Sequence, residues 1–321
     1  YIYGHLPCVL VYRGNYAHPM TERVQYDEFS MFHENASEYG LPYAAPPLVR
    51  REFVQCSADR RFSALVWGDE SPTIVFLHGG AQNAHTWDTV LLDLGVPALA
   101  IDLPGHGHSS WRDDAMYSPH SMAVDIAEVI ALHAPSAKAV VGMSLGGLTS
   151  LALAGHAPHL VRELVLVDIT PGVNGDKAKA ILDFVNGPQA FASFDDLLKR
   201  TIEHNPTRTI ESLRRGILHN AKQLDDGSWQ WRYDRRSHIR SENSEPISGD
   251  ALGKLWDLIG SLECPLTLLR GGTSPVVDDA DVAELMRRQG RAAVLVIDGA
   301  GHSIQGDKPR ELAAFLAAKG V

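Results

Sequence analysis

Val140-Val141-Gly142-Met143-Ser144-Leu145-Gly146-Gly147 is the stretch on which the reading of this chain turns. It has the G-x-S-x-G spacing of a nucleophile elbow, a sharp turn from strand into helix. The small, apolar run Ala137 to Val141 predicts a short buried strand, and Leu148 to His156 predicts a helix. A serine on that turn takes up a strained backbone, while glycines at 142 and 146 let neighbouring elements approach without a Cβ clash. The turn lifts the Ser144 hydroxyl to the top of a sheet. It also leaves the Leu145 N–H at a helix N-terminus, facing any oxyanion that develops there. Glycine-serine patterns also occur in ordinary Gly-rich turns, so the flanking sequence has to carry the assignment.

Upstream, Val49 to Cys56 and Phe62 to Trp67 predict a hairpin around Ser57-Ala58-Asp59. Thr73 to Leu77 is a continuous apolar strand running into His78-Gly79-Gly80-Ala81-Gln82-Asn83, followed by a helix from about Thr86 to Asp93 that Gly95 closes. Pro97 to Ile101 predicts the next strand, ending in Asp102-Leu103-Pro104-Gly105-His106-Gly107-His108-Ser109, and Ser118-Pro119 opens a helix to about His133. Downstream of the elbow, Leu164 to Asp168 predicts a strand. Apolar strands alternating with helices make a mostly parallel sheet covered on both faces, with its site at the carboxyl ends of the strands.

The strand signal stops between Thr170 and about Leu262. Lys177 to Val185, Phe194 to His204 and Thr209 to Gln223 predict amphipathic helices, and Trp229, Trp231 and Tyr233 form an aromatic cluster. This largely helical insertion is expected to sit over the strand ends as a cap. Pro265 to Arg270 resumes the sheet, followed by a helix from Asp279 to Arg288, a strand from Ala292 to Ile297, the loop Asp298-Gly299-Ala300-Gly301-His302-Ser303 and a helix from Lys308 to Ala318. Residues 1–48 lack periodicity beyond one short helix near Glu22 to Asn35. They read as an arm against a partner subunit, giving a homodimer, or as a poorly ordered tail. The expected division is therefore 1–48 extension, 49–170 core, 171–262 helical cap and 263–321 core.

Composition narrows the function classes. A net charge of −10 argues against a general nucleic-acid binder. No apolar run is long enough for a membrane helix, and no signal peptide is visible at Tyr1-Ile2-Tyr3. Cys8, Cys56 and Cys264 are too scattered for a metal spacing or a disulfide framework, which suits the cytoplasm. No ligand cluster implies a metal or an organic cofactor.

Taken together, Phe76-Leu77-His78-Gly79-Gly80, the Asp102 to Ser109 segment, the elbow and Asp298 to Ser303 resemble, in this order, the α/β-hydrolase superfamily. The resemblance spans residues 49 to 321. It implies an α/β-hydrolase fold, with Ser144 as nucleophile and His302 as the base that takes its proton and later protonates the leaving group. Leu145 and Gly80 then supply the two oxyanion N–H groups, with Ala81 as runner-up to Gly80. His78 either orients the oxyanion loop or packs structurally, and His106 and His108 read as structural. The family's usual acid position departs from pattern: Gly271-Gly272-Thr273-Ser274-Pro275 has proline where aspartate is expected. Asp168, fixed at a strand end beside the nucleophile, is the favoured acid, and Asp278 is the alternative. Asp279 suits a helix N-cap.

These residues imply a hydrolase of small-molecule carboxylic esters or lactones. A serine nucleophile rather than an aspartate argues against dehalogenase and epoxide-hydrolase chemistry. The outline is also similar to lactonases acting on large resorcylic lactones such as zearalenone, and Trp87, Trp229, Trp231 and Tyr233 either line such a pocket or form core. C–C bond hydrolysis of dienone-type substrates, thioester hydrolysis and a non-catalytic binding role on this fold are the alternatives.

Overall fold

The computed structural model describes residues 23–56, 59–205, 208–236 and 249–320. Eight strands form one sheet in the order β1-β2-β4-β3-β5-β6-β10-β11. They are β1 Val49–Gln55, β2 Arg61–Trp67, β3 Ile74–Leu77, β4 Ala98–Ile101, β5 Ala139–Met143, β6 Leu164–Val167, β10 Leu266–Gly271 and β11 Ala293–Ile297. β2 pairs antiparallel with β1 and β4, and every later pair is parallel.

The strand sequences explain the layering. Every residue of β3, Ile-Val-Phe-Leu, is buried. Val75 and Leu77 enter the core on one face, while Ile74 and Phe76 enter the core on the other, as the two-residue period requires. On the first face lie helices Pro119–His133 and Leu145–His156, and Trp87, Leu91 and Leu312 fill the second. Helix Leu145–His156 is buried almost all round, which accounts for its lack of a polar stripe. It begins three residues earlier than the sequence pattern indicates, directly after Ser144. The expected 86–93 helix is a 3₁₀ turn, Ala84–Trp87, followed by an α-helix, Asp88–Leu94.

Within 171–262 the helices are Lys179–Val185, Phe194–His204 and Ile210–Asn220. The expectation that strands are absent there is corrected: Ala190–Phe191 (β7), Ala221–Gln223 (β8) and Trp229–Trp231 (β9) form an antiparallel sheet in the order β7-β9-β8. The helix predicted to reach Gln223 stops at Asn220 because Asp226-Gly227-Ser228, with Gly227 at φ +86°, folds β9 back onto 221–223. A further helix, Gly249–Ser261, was not foreseen. Its Leu255 and Ile259 are fully buried in the same core as the elbow helix. Thus the last helix before residue 263 packs on the sheet domain.

The N-terminal helix is Phe32–Tyr39, later than the expected 22–35 segment, and Gly40 closes it at φ +63°. Phe32 packs 5.1 Å from Trp67. Residues 23–41 lie against their own chain: Asn35 bonds Thr89, Tyr39 bonds the Gly306 carbonyl, and Glu38 pairs with Arg215 of the insertion. The remainder of the expected arm, residues 1–22, lies outside the described residues.

Candidate active site

Ser144 sits between β5 and its helix at φ +51°, ψ −119°, the strained turn its sequence context requires. A Cβ added to Gly142 would lie 2.5 Å from the Gly146 carbonyl oxygen, so strand and helix meet there only through glycines. Among the described residues, neither the Leu145 nor the Gly80 N–H has a hydrogen-bond acceptor. The two positions adjoin, since a Cβ on Gly80 would lie 3.9 Å from Leu145 Cδ2. Ala81 follows with φ +58°.

Asp168 directly follows β6, at φ +49°, and is fully buried. It lies 2.8 Å from His302 Nδ1 and accepts two more bonds, from the Gly271 N–H at 2.8 Å and from the Ser274 hydroxyl. His302 Nε2 is buried without a partner. The Gly271-Gly272-Thr273-Ser274-Pro275 loop therefore holds Asp168 in place rather than supplying a carboxylate. Asp278 does something else. It is the N-cap of helix Asp279–Arg288, forms a capping box with Asp281 and pairs with Lys177 at 2.9 Å, an ammonium that draws its pKa down. Sequence reasoning gave the cap to Asp279, which instead pairs with Arg270.

His78 is fully buried. Its Nδ1 donates to the Gly79 carbonyl at 2.7 Å, and its Nε2 accepts the Leu103 N–H at 2.9 Å. It thus ties the His78-Gly79-Gly80 turn to the Asp102 to Ser109 turn, and burial lowers its pKa to about 4. His106 bonds the Pro104 carbonyl, and burial takes His108 down to about 4 as well. Asn220, ending an insertion helix, donates to the Ala81 carbonyl at 2.6 Å and clamps the loop from above.

Trp229, Trp231 and Tyr233 are buried in the insertion's own core. Trp229 packs 5.0 Å from Phe194, and Trp231 5.9 Å from Phe184. Trp87 is fully buried under the sheet against Phe76. Of these four, Trp231 also lines a cavity of about 210 Å³ between insertion, N-terminal helix and core, and Trp87 does not. The cavity wall includes Gln82, which accepts the Gly79 N–H, and Gln305, three residues beyond His302.

Sequence reasoning missed Ser274, Gln82 and a buried ionic network. Arg51 bridges Glu28 and Asp102 at 2.7 and 2.8 Å, and His85 lies between Asp88 at 2.8 Å and Glu28 at 3.2 Å. Burial alone lowers the His85 pKa, but the flanking carboxylates outweigh it and raise the group to about 9. Burial and the His85 cation hold the neighbouring His219 well below its ordinary value. His85, Asp88 and His219 each offer a donor atom within 4.8 Å of the others, spacing that suits a metal. The two imidazole rings stack at 3.8 Å and 13°, and His85 is held by the carboxylates of Asp88 and Glu28. As built, the cluster is a charge network.

The profile of the Alpha/beta hydrolase family matches residues 74–315. The chain is 48% identical over 293 residues to a Mycobacterium tuberculosis protein named Esterase Rv0045c, covering 89% of this chain and 93% of that one. It is 27% identical over 282 residues to a 3-hydroxybutyrate-oligomer hydrolase of Cupriavidus necator, covering 82% and 95%. A crystal structure of the M. tuberculosis esterase superposes with a TM-score of 0.80 at 45% identity, over 93% of this chain and 99% of the other. The structure of E-2-(acetamidomethylene)succinate hydrolase, at 22% identity and a TM-score of 0.73 over 84% and 98%, shares the fold.

Proposed function

Because the chain belongs to the α/β-hydrolase family, we propose that it is a serine hydrolase of small carboxylic esters or lactones, acting through an acyl-enzyme. One observation carries the reading: a buried Asp168 carboxylate fixes His302 through Nδ1 and leaves its buried Nε2 without a partner. With Nδ1–H donating to Asp168, Nε2 is the basic nitrogen.

In the proposed cycle, Ser144 Oγ attacks the ester carbonyl as its proton passes to His302 Nε2. The tetrahedral oxyanion is received by the N–H groups of Leu145 and Gly80. The imidazolium protonates the leaving alkoxide as the C–O bond breaks, leaving an acyl-serine. Water then gives its proton to Nε2, attacks the acyl carbon and releases the carboxylic acid, and Ser144 regains its hydrogen. In a lactone the alkoxide stays tethered to the acyl group. The close relative named an esterase supports the ester over other bonds. The insertion helices Lys179–Val185, Phe194–His204 and Ile210–Asn220, with the β7-β9-β8 sheet, serve as the cap that sets specificity, and no metal or organic cofactor enters these steps.

The test is proton release in a pH-stat on short esters, long esters, thioesters and large lactones, with Ser144→Ala alongside. Release that drops by at least about 10⁴-fold in the variant supports the mechanism. Release that survives the substitution overturns it, and release only from non-ester substrates overturns the substrate class.

A further inference from the structure

The cavity between insertion and core has the wrong lining for an acyl chain. Half of the residues around it carry a neutral amide or hydroxyl, among them Asn35, Thr86, Thr201, Asn205 and Gln305. Pockets for alkyl groups are walled mainly by apolar side chains. Here the apolar side chains are two aromatic rings, Phe184 and Trp231, set edge to face at 5.9 Å, together with Leu213 and Ile217.

Three residues lining this cavity each hold a buried acceptor oxygen with no hydrogen-bond partner: Asn35 Oδ1, Asp88 Oδ1 and Gln305 Oε1. The orientation of Gln305 follows from its neighbours. Its Nε2 faces Gln82 Oε1 at 3.4 Å and Thr86 Oγ1 at 3.3 Å, and Gln82 Oε1 already accepts the Gly79 N–H. Its carbonyl is therefore the unused end. Unpaired acceptors call for a ligand that brings O–H or N–H donors. Arg208, which donates to Ser212 Oγ and has no carboxylate in ion-pair range among the described residues, offers donors in return. The other charges on the wall are already paired, the His85 cation with Asp88 and Arg215 with Glu38, so a fully anionic guest would have Arg208 as its counter-ion and the Asp88 carboxylate against it.

A ligand with donors and acceptors around its edge and an apolar face for an aromatic ring is a polyol or a monosaccharide. Resting on the serine-hydrolase reading, we propose that this cavity seats a neutral, hydroxyl-rich portion of the ester substrate, the size of a monosaccharide. Its position fits. Gln82 joins the cavity wall to the loop beside Ser144: a Cβ on Gly79 would lie 3.3 Å from both Gln82 Oε1 and Ser144 Cβ.

The experiment compares kcat/KM for three butyrate esters that differ only in the alcohol part. These are the 6-ester of glucose, the cyclohexylmethyl ester, and the ester of 4-hydroxybutanoate, which carries a free carboxylate. The glucose ester is expected to exceed the cyclohexylmethyl ester at least about tenfold, with methyl glucoside a competitive inhibitor. In Asn35→Leu and Thr86→Val the glucose-to-cyclohexylmethyl ratio should fall toward one. Ser144-dependent hydrolysis of all three with no preference, or with the cyclohexylmethyl ester ahead, overturns the cavity assignment and leaves the serine mechanism standing. A preference for the carboxylate-bearing ester makes the cavity an anion site around Arg208 and also overturns it. No hydrolysis of any ester sinks both readings.

Discussion

At Asp168 three hydrogen bonds converge on one carboxylate: from His302, from the Gly271 backbone and from Ser274. Proline 275 closes off the family's usual acid position, and the serine before it turns back to brace the acid on the neighbouring strand. The sequence placed Ser144 and His302 by chain order and left the acid open between Asp168, which it favoured, and Asp278. It could not name Ser274, because a serine in a loop carries no local sign of a partner 106 residues away. Asp278 illustrates the opposite difficulty: a capping aspartate and a triad aspartate look alike until the helix it caps is in view. Asp168→Asn is expected to cut kcat by roughly 10³ to 10⁴, because the wrong tautomer of His302 becomes favoured. Asp278→Ala should leave kcat unchanged while lowering the melting temperature through the lost cap. Steady-state kinetics paired with thermal melts on both variants separates the two carboxylates. Comparable kcat losses in both would contradict this assignment.

The turns after β3 and β4 form a unit because His78 bonds both. In the folded chain its pKa is about 4 against an ordinary 6.5, the cause being burial. A folded pKa below the unfolded value means the histidine's contribution to stability is complete above pH 6.5. It is lost as the pH falls toward 4, by an upper limit of roughly 3 kcal/mol at 1.36 kcal/mol per unit. His78→Gln can accept from Leu103 and donate to Gly79 without titrating in this range. Its melting temperature should therefore fall less steeply between pH 6.5 and 4 than that of the parent chain, as followed by circular dichroism. Equal slopes would remove His78 from the acid response. The apolar periodicity gave most of these elements to within a few residues. The small β7-β9-β8 sheet escaped it because two- and three-residue strands are too short to show a period. Helix Gly249–Ser261 carries its signal in Leu255 and Ile259, which lie at helical spacing, between a polar stretch and the resumed sheet.

Over the whole molecule, the segment from residue 23 to 41 straps insertion and core together. Its Glu28 meets Arg51 and His85, its Glu38 meets Arg215, and Tyr26 bonds His219. Arg51 is the central cation, nearly buried between Glu28 and the fully buried Asp102. Arg51→Met would leave the fully buried Asp102 carboxylate without its cationic partner, while Glu28 keeps His85, and is expected to cost about 3–5 kcal/mol, read as a lowered urea midpoint with unchanged slope. A loss below about 1 kcal/mol would mean the network is solvated rather than structural. Among the described residues no helix is long and apolar enough to cross a membrane. By itself the amino-acid sequence determined a mostly parallel sheet, the turn that carries Ser144 and the loop that carries His302, because these rest on local spacing and on unbroken apolar runs. Only the tertiary structure decided which carboxylate meets His302, which face of the insertion lines a polar cavity and which distant charges pair. Those outcomes depend on contacts between residues far apart in the chain, from 23 positions for Glu28 and Arg51 to 177 for Glu38 and Arg215, and burial, not local pattern, selects among them.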